Sequence, residues 1–216
     1  MKKTTIHSAL FITLIAGTAN ADVIITGIVD GSLSGGNPKA IELYIDGTVD
    51  FTGFDLFKSS NGGAFGAAGD MSGLGIISDS FVYLVGNGAT GLTNFQTVFG
   101  TSGDFANTFS MGNANGNGDD GFQIVDAGST VLDQVWQEDT SDFYRDSYLY
   151  RMDGTGPEGA VWTPGNWFNL GNDTLDGMNE SQIEAAVPFG TYVVPSPGVM
   201  TLMGLGGLVM AGRRRA

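Results

Sequence analysis

Ala40-Ile-Glu-Leu-Tyr-Ile-Asp-Gly47 decides the fold class. Ile41, Leu43 and Ile45 alternate with Glu42 and Tyr44. Successive side chains of an extended chain point to opposite faces, so the three aliphatics share one face of a strand. Asp46-Gly47 then predicts a tight hairpin turn. The same pattern recurs on both sides of this stretch. Residues 23–29 are apolar and β-branched, a first core strand. Residues 51–57 form a strand in which Phe51 and Gly53 face opposite to Phe54 and Leu56. Phe81-Val-Tyr-Leu-Val85 reads as the most central strand, and residues 122–125 and 131–136 as a hairpin about a turn at 126–130. Residues 144–152 make an aromatic-rich strand, and Trp162 and Trp167 flank a Pro164-Gly165 turn. The Gly-rich stretches 30–38, 59–75 and 113–121 read as loops.

Helical signals are few. Phe95, Val98 and Phe99 fall at i, i+3 and i+4, which predicts a short helix over 93–99. Ser181-Gln-Ile-Glu184 has capping-box form and predicts a second, ending at Pro188. Strands separated by frequent turn signals give an all-β fold, a β-sandwich of immunoglobulin-like size, as one domain over 22–192.

Both ends carry addresses. Lys2 and Lys3 precede an apolar run at 9–16 and a small-x-small site, Ala19-Asn20-Ala21. The run is too short to span a bilayer, so residues 1–21 read as a cleavable signal peptide for signal peptidase. At the other end, Pro195-Ser196-Pro197 leads into the apolar, Gly- and Leu-rich run 198–212 and closes on Arg213, Arg214 and Arg215. A short transmembrane helix with its basic end held inside fits that layout. Fifteen residues make about 22 Å of helix at about 1.5 Å per residue, short of a hydrocarbon core of about 30 Å. The span therefore suits a temporary hold better than a permanent one.

Charge and the missing residue types exclude several functions. All 23 acidic residues lie between the two ends, with only Lys39, Lys58, Arg145 and Arg151 against them, a balance of about −19 where the whole chain has −14. Nucleic acid and anionic lipid are repelled by such a surface. There is no Cys, and the single His, His7, leaves with the signal peptide. The mature region thus has no means to build a Cys/His zinc site, a Ser-His-Asp triad, a Cys-His pair or a disulfide.

Two resemblances follow from these residues. The tail at 193–216, with Val194-Pro195-Ser196-Pro197, the run 202–209 and Arg213 to Arg215, resembles the PEP-CTERM sorting signal, with Ser196 where that family usually has Glu. The resemblance implies export, recognition by an exosortase-type membrane protease, and delivery to the outer surface or extracellular matrix. The mature region resembles the lamin-tail-like domains of secreted bacterial proteins. Asn37-Pro-Lys-Ala-Ile-Glu-Leu-Tyr44, Val49-Asp-Phe-Thr-Gly-Phe54, Asn117-Gly-Asp-Asp-Gly-Phe122 and Val131-Leu-Asp-Gln-Val135 carry it, with Trp167 near the end. It implies an immunoglobulin-like sandwich acting as a non-catalytic binding or structural module; extracellular polysaccharide or surface proteins are the partners expected of a protein sent to the outer surface or matrix.

Three groups of residues are candidate sites. Asn113, Asn115, Asn117, Asp119 and Asp120 place oxygens along a Gly-rich loop, the side-chain type that calcium takes. The closing position of an EF-hand falls on Ile124, so the competing reading is Asx turns in which Asp119 and Asp120 accept backbone N–H bonds. Glu42, with Glu138 or Asp139, would be the carboxylate pair of a polysaccharide hydrolase. The competing reading pairs it structurally with Lys39, Arg145 or Arg151. Finally, Trp136, Trp162, Trp167 and the tyrosines 144, 148 and 150 offer aromatic faces for a sugar. Trp136 and Trp167 are assigned to the core, and Trp162 is the candidate ligand contact. The leading expectation is a non-enzymatic surface protein, the rival a carboxylate-only hydrolase.

Overall fold

The structure, a computed structural model, describes residues 21–136 and 141–194. In chain order these form β1 (Asp22–Leu33), β2 (Asn37–Asp50), β3 (Asp55–Ser59), β4 (Phe65–Asp70) and β5 (Ile76–Val85). Helix α1 (Gly88–Phe99), β6 (Thr108–Ser110), β7 (Gly121–Val125) and β8 (Val131–Val135) follow, then β9 (Ser147–Arg151), β10 (Trp167–Asn169) and helix α2 (Glu180–Ala186). The chain is mostly β, with two sheets. The larger has the order β10-β9-β1-β2-β5-β6 and the smaller β4-β3-β7-β8. Pairing is antiparallel except between β5 and β6.

The alternation in β2 works as the sequence reading requires. Ile41, Leu43 and Ile45 enter a core between the two sheets, where they meet Val82 and Leu84 of β5 and Phe122, Ile124 and Val135 of the smaller sheet. The opposite face of the large sheet is also buried. Ala40, Phe81, Tyr83 and Val85 pack there against Phe95, Val98 and Phe99 of α1, Ile183 of α2, and Val187, Phe189 and Tyr192 after it. A strand covered on both faces reads as a continuous apolar run, which is why residues 81–85 show no polar alternation. The fold is thus a two-sheet sandwich with helices and the C-terminal segment laid over one sheet.

Several local expectations are corrected. Asp46-Gly47 is not a hairpin turn. Gly47, at φ +81, makes a bulge between Ile45 and Thr48, and β2 runs on because Val49 and Phe51 belong to the same core beneath. The break lies instead at Thr52-Gly53, so β3 begins at Asp55 and not at 51. Within the supposed loop 59–75 lies β4, joined to β3 through Asn61-Gly62, both at positive φ. That dipeptide is a hairpin signal in its own right. The loop 30–38 shrinks to a turn at 34–36, and the strand expected over 144–152 covers Ser147–Arg151. The capping box belongs to Asn179 and Gln182, each side chain bonded to the other's backbone N–H, and not to Ser181 and Glu184.

With no disulfide, the sheets are stitched by a buried ion pair. Arg151 Nη2 of β9 donates to Asp133 Oδ2 of β8 at 2.6 Å, both side chains fully buried. The Ile25 backbone lies beside the β1 bulge and completes the pair. Ile25 N–H donates to Asp133 at 2.9 Å, and Ile25 O accepts from Arg151 Nε at 2.6 Å. No helix among the described residues is long and apolar enough to cross a membrane. The signal peptide through Asn20, with Ala19 of its cleavage site, and the tail from Pro195 lie outside the described residues.

Candidate functional site

The loop 113–121 is organised around a lysine. Lys58 Nζ, from β3, sits 3.1 Å from both Asn115 O and Asn115 Oδ1, and 3.0 Å from Asp120 Oδ2. Asp120 also accepts backbone N–H bonds from Asn61 and Asn117, at 3.2 Å each. The Asn117 amide, with its nitrogen turned to the carboxylates, reaches Asp119 at 3.0 Å and Asp120 at 2.5 Å. Burial, and then the neighbouring Asp120, pushes Asp119 above the usual carboxylate range. Asn115, Asn117, Asp119 and Asp120 are therefore brought together, and the positive charge among their oxygens is an ammonium. A second lysine, Lys39, ties the loop through Gly116 O at 2.8 Å while pairing with Asp30.

Glu42 is the opposite case, a buried carboxyl with no cation beside it among the described residues. It pairs with none of Lys39, Arg145 or Arg151, because its side chain enters the helix-covered core. There Glu42 Oε1 accepts from Thr26 Oγ1 at 2.6 Å and Oε2 from Gly190 N–H at 2.5 Å. Thr26 is the residue skipped by the β1–β2 register, so the bulge aims its hydroxyl at Glu42. Tyr83 and Tyr150 crowd the same carboxyl, and the Tyr83 hydroxyl has no hydrogen bond of normal geometry. Burial pushes Glu42 up to about 7. Its depth removes it from any solvent-facing carboxylate pair, and Glu138 and Asp139 lie outside the described residues.

The outer face of the smaller sheet carries a different surface. Phe57, Gln123 and Gln134 stand in one row across β3, β7 and β8. Gln123 Nε2 donates to Gln134 Oε1 at 2.6 Å. In the next row on that face, Trp136 crosses β7 over Gly121, where a Cβ would come within 2.6 Å of the indole. Its Nε1 donates to Ser59 Oγ at 3.0 Å, and its ring lies 5.6 Å from that of Phe65. Trp136 is only half-buried, which corrects its assignment to the core. Trp162 approaches from the segment bonded along β8, held by Gly159 N–H to Leu132 O and Glu158 N–H to Asp133 Oδ1, at 3.0 Å each. Gln134, Trp136, Ala160, Val161 and Trp162 line an open cleft of about 320 Å³.

Trp167 is core as expected, buried with the Arg151 guanidinium 4.5 Å from its ring centroid and its ring 5.4 Å from that of Trp162. The three tyrosines are core as well. Tyr144 donates to Asp120 O at 2.8 Å and so fixes the Lys58 loop. A second cleft on the same sheet, about 390 Å³, is lined by Asp55, Phe57, Gln123 and Asp126 among others. Asp126 is engaged in its own turn, accepting from Gly128 N–H at 2.8 Å and Thr130 N–H at 2.7 Å. Comparison of the chain with protein-family models, curated proteins and solved structures finds no match. Sequence reasoning missed Gln123, Gln134 and the exposed side of Trp136. The signal was present: Gln134 and Trp136 are two apart, and both alternate with the inward Asp133 and Val135.

Proposed function

We propose that this is an exported, surface-sorted, non-catalytic binding module, its sandwich immunoglobulin-like and similar to the lamin-tail domains. Residues 1–21 and 193–216 give it an itinerary: signal peptidase, a precursor held at the inner membrane, an exosortase-type protease, then the outer surface or matrix. One observation carries the binding reading. The deep carboxylates and three of the four mature-region cations hold the fold together, while two half-buried tryptophans and the partly exposed Gln123 line open clefts beside one sheet. Lys39, Lys58, Arg145 and Arg151 are each in an ion pair, so an anionic partner such as nucleic acid meets no free cation among them. The reading needs no metal in the loop 113–121, because Lys58 already supplies the positive charge.

The itinerary is tested by fractionating cells with and without the membrane protease and weighing the mature C-terminus. The expected product in the outer layer has lost Arg213, Arg214 and Arg215. A surface protein that still carries Arg215 overturns sorting by cleavage.

A further inference from the structure

Resting on the binding-module reading, we propose that the outer face of the β4-β3-β7-β8 sheet binds a linear, uncharged polysaccharide, with Trp136 and Trp162 as its stacking residues. A pyranose presents C–H groups on its faces and hydroxyls around its edge. It therefore needs flat aromatic surface next to neutral donors and acceptors. This face offers both. Gly121 allows the Trp136 indole to cross β7, and Ser59 fixes its orientation. Trp162 stands at the β8 side of the same cleft.

The polar groups match as well. Among the described residues, Gln134 Nε2 and Trp162 Nε1 donate to nothing, and neither is a buried unsatisfied group. Trp162 Nε1 is thus the donor left to meet ligand hydroxyls, while Gln134, only 5 % exposed, lines the cleft beneath it. The Gln123–Gln134 pair joins this cleft to its neighbour, so the two form one track past Phe57. Strands lie about 4.8 Å apart, so the row Phe57-Gln123-Gln134 spans about 10 Å, room for more than one sugar ring in line.

Charge decides which sugars. Among the described residues the Trp136–Trp162 cleft has no charged lining residue, and the adjoining cleft adds Asp55 and Asp126, which accept from hydroxyls and repel uronate or sulfate. A peptide is the poorer fit. Extended peptides add to an unpaired strand edge through their backbone, whereas this face presents side chains from strands already paired.

The test uses the full chain, extracted in a polyoxyethylene detergent without a sugar head group and run in native gels cast with laminarin, hydroxyethylcellulose or alginate. Retardation is expected in at least one of the two neutral gels and not in alginate. Trp162→Ala should weaken it about tenfold or more in a variant that is still folded by circular dichroism, though melting lower because the indole packs on Trp167 and Phe143, with Phe168→Ala on the other sheet as an unaffected control. Should Trp162→Ala not fold, N-bromosuccinimide footprinting of the unaltered protein gives the same answer. The bound glycan should protect Trp136 and Trp162 from oxidation. No retardation in either neutral gel, retardation by alginate alone, or binding undiminished without the Trp162 indole overturns the proposal. None of these outcomes touches the export reading, which stands or falls on the mass of the C-terminus.

Discussion

Glu42 shows how one residue changes meaning once its surroundings are known. In sequence it is the polar member of an alternating strand, with a lysine three residues away. In the fold it is fully buried, and its hydrogen bonds to Thr26 and Gly190 offset only part of the cost of desolvation. Its carboxyl is raised from 4.5 to about 7, and Asp30, buried beside Lys39, is raised to about 6. The folded protein thus keeps protons that the unfolded chain releases, so stability falls as pH rises from about 4.5 to about 7 and levels off above. At about 1.4 kcal/mol per pH unit, Glu42 alone accounts for on the order of 3 kcal/mol. Glu42→Gln keeps the shape and an acceptor for Gly190 N–H. Urea unfolding at pH 5 and pH 8 should show the variant gaining stability at pH 8 and keeping the smaller slope left by Asp30 and the other raised carboxyls, Asp119 and Asp133 among them. An unchanged pH dependence would show that Glu42 is not the titrating group.

The elements were legible where one face is buried and harder to read elsewhere. The alternation of Ile41, Leu43 and Ile45, the β7–β8 hairpin and the apolar stripe of α1 are all present as read, because each buries a regular set of side chains. The errors fall where backbone conformation decides. Asp46-Gly47 carries the composition of a turn, yet core contacts from Val49 and Phe51 draw the strand onward and leave a bulge. In β4, Gly66 and Gly69 leave no period to read. The candidate sites divide along the same line. The oxygens of 113–121 do converge, but sequence order does not reveal that a β3 lysine enters their midst. Lys58→Met would leave Asp120, whose side chain is 2 % exposed, without its charge partner. Breaking such a pair should cost about 3 kcal/mol, read as a lower urea midpoint at an unchanged m-value. Calcium, at matched ionic strength, should not move the melting temperature of the parent. A calcium-specific rise there would mean that the loop takes the metal with the ammonium in place.

At the scale of the whole molecule, the second core explains how a disulfide-free, strongly acidic chain is held together, and why its C-terminal end matters. A sandwich alone leaves one face of each sheet to solvent. Here α1, α2 and the segment 187–194 cover the larger sheet. That segment is fastened at each step: Gly190 N–H to Glu42, Thr191 N–H to Tyr150 Oη at 3.1 Å, Val193 N–H to Asp153 Oδ1 at 2.9 Å, and Gly154 N–H to Val193 O at 3.0 Å. Phe189 and Tyr192 are buried between these bonds. The Pro195-Ser196-Pro197 stretch follows the last of them in sequence, so a protease acting there leaves all of these bonds in place. Chains ending at Val194 and at Val187 separate the two situations. The first should melt with the full-length protein. The second loses both aromatics and uncovers Glu42, and should be weaker by on the order of 5 kcal/mol, with faster amide exchange in α2 and β9. Equal melting of the two truncated chains would mean that the C-terminal segment lies on the domain without supporting it.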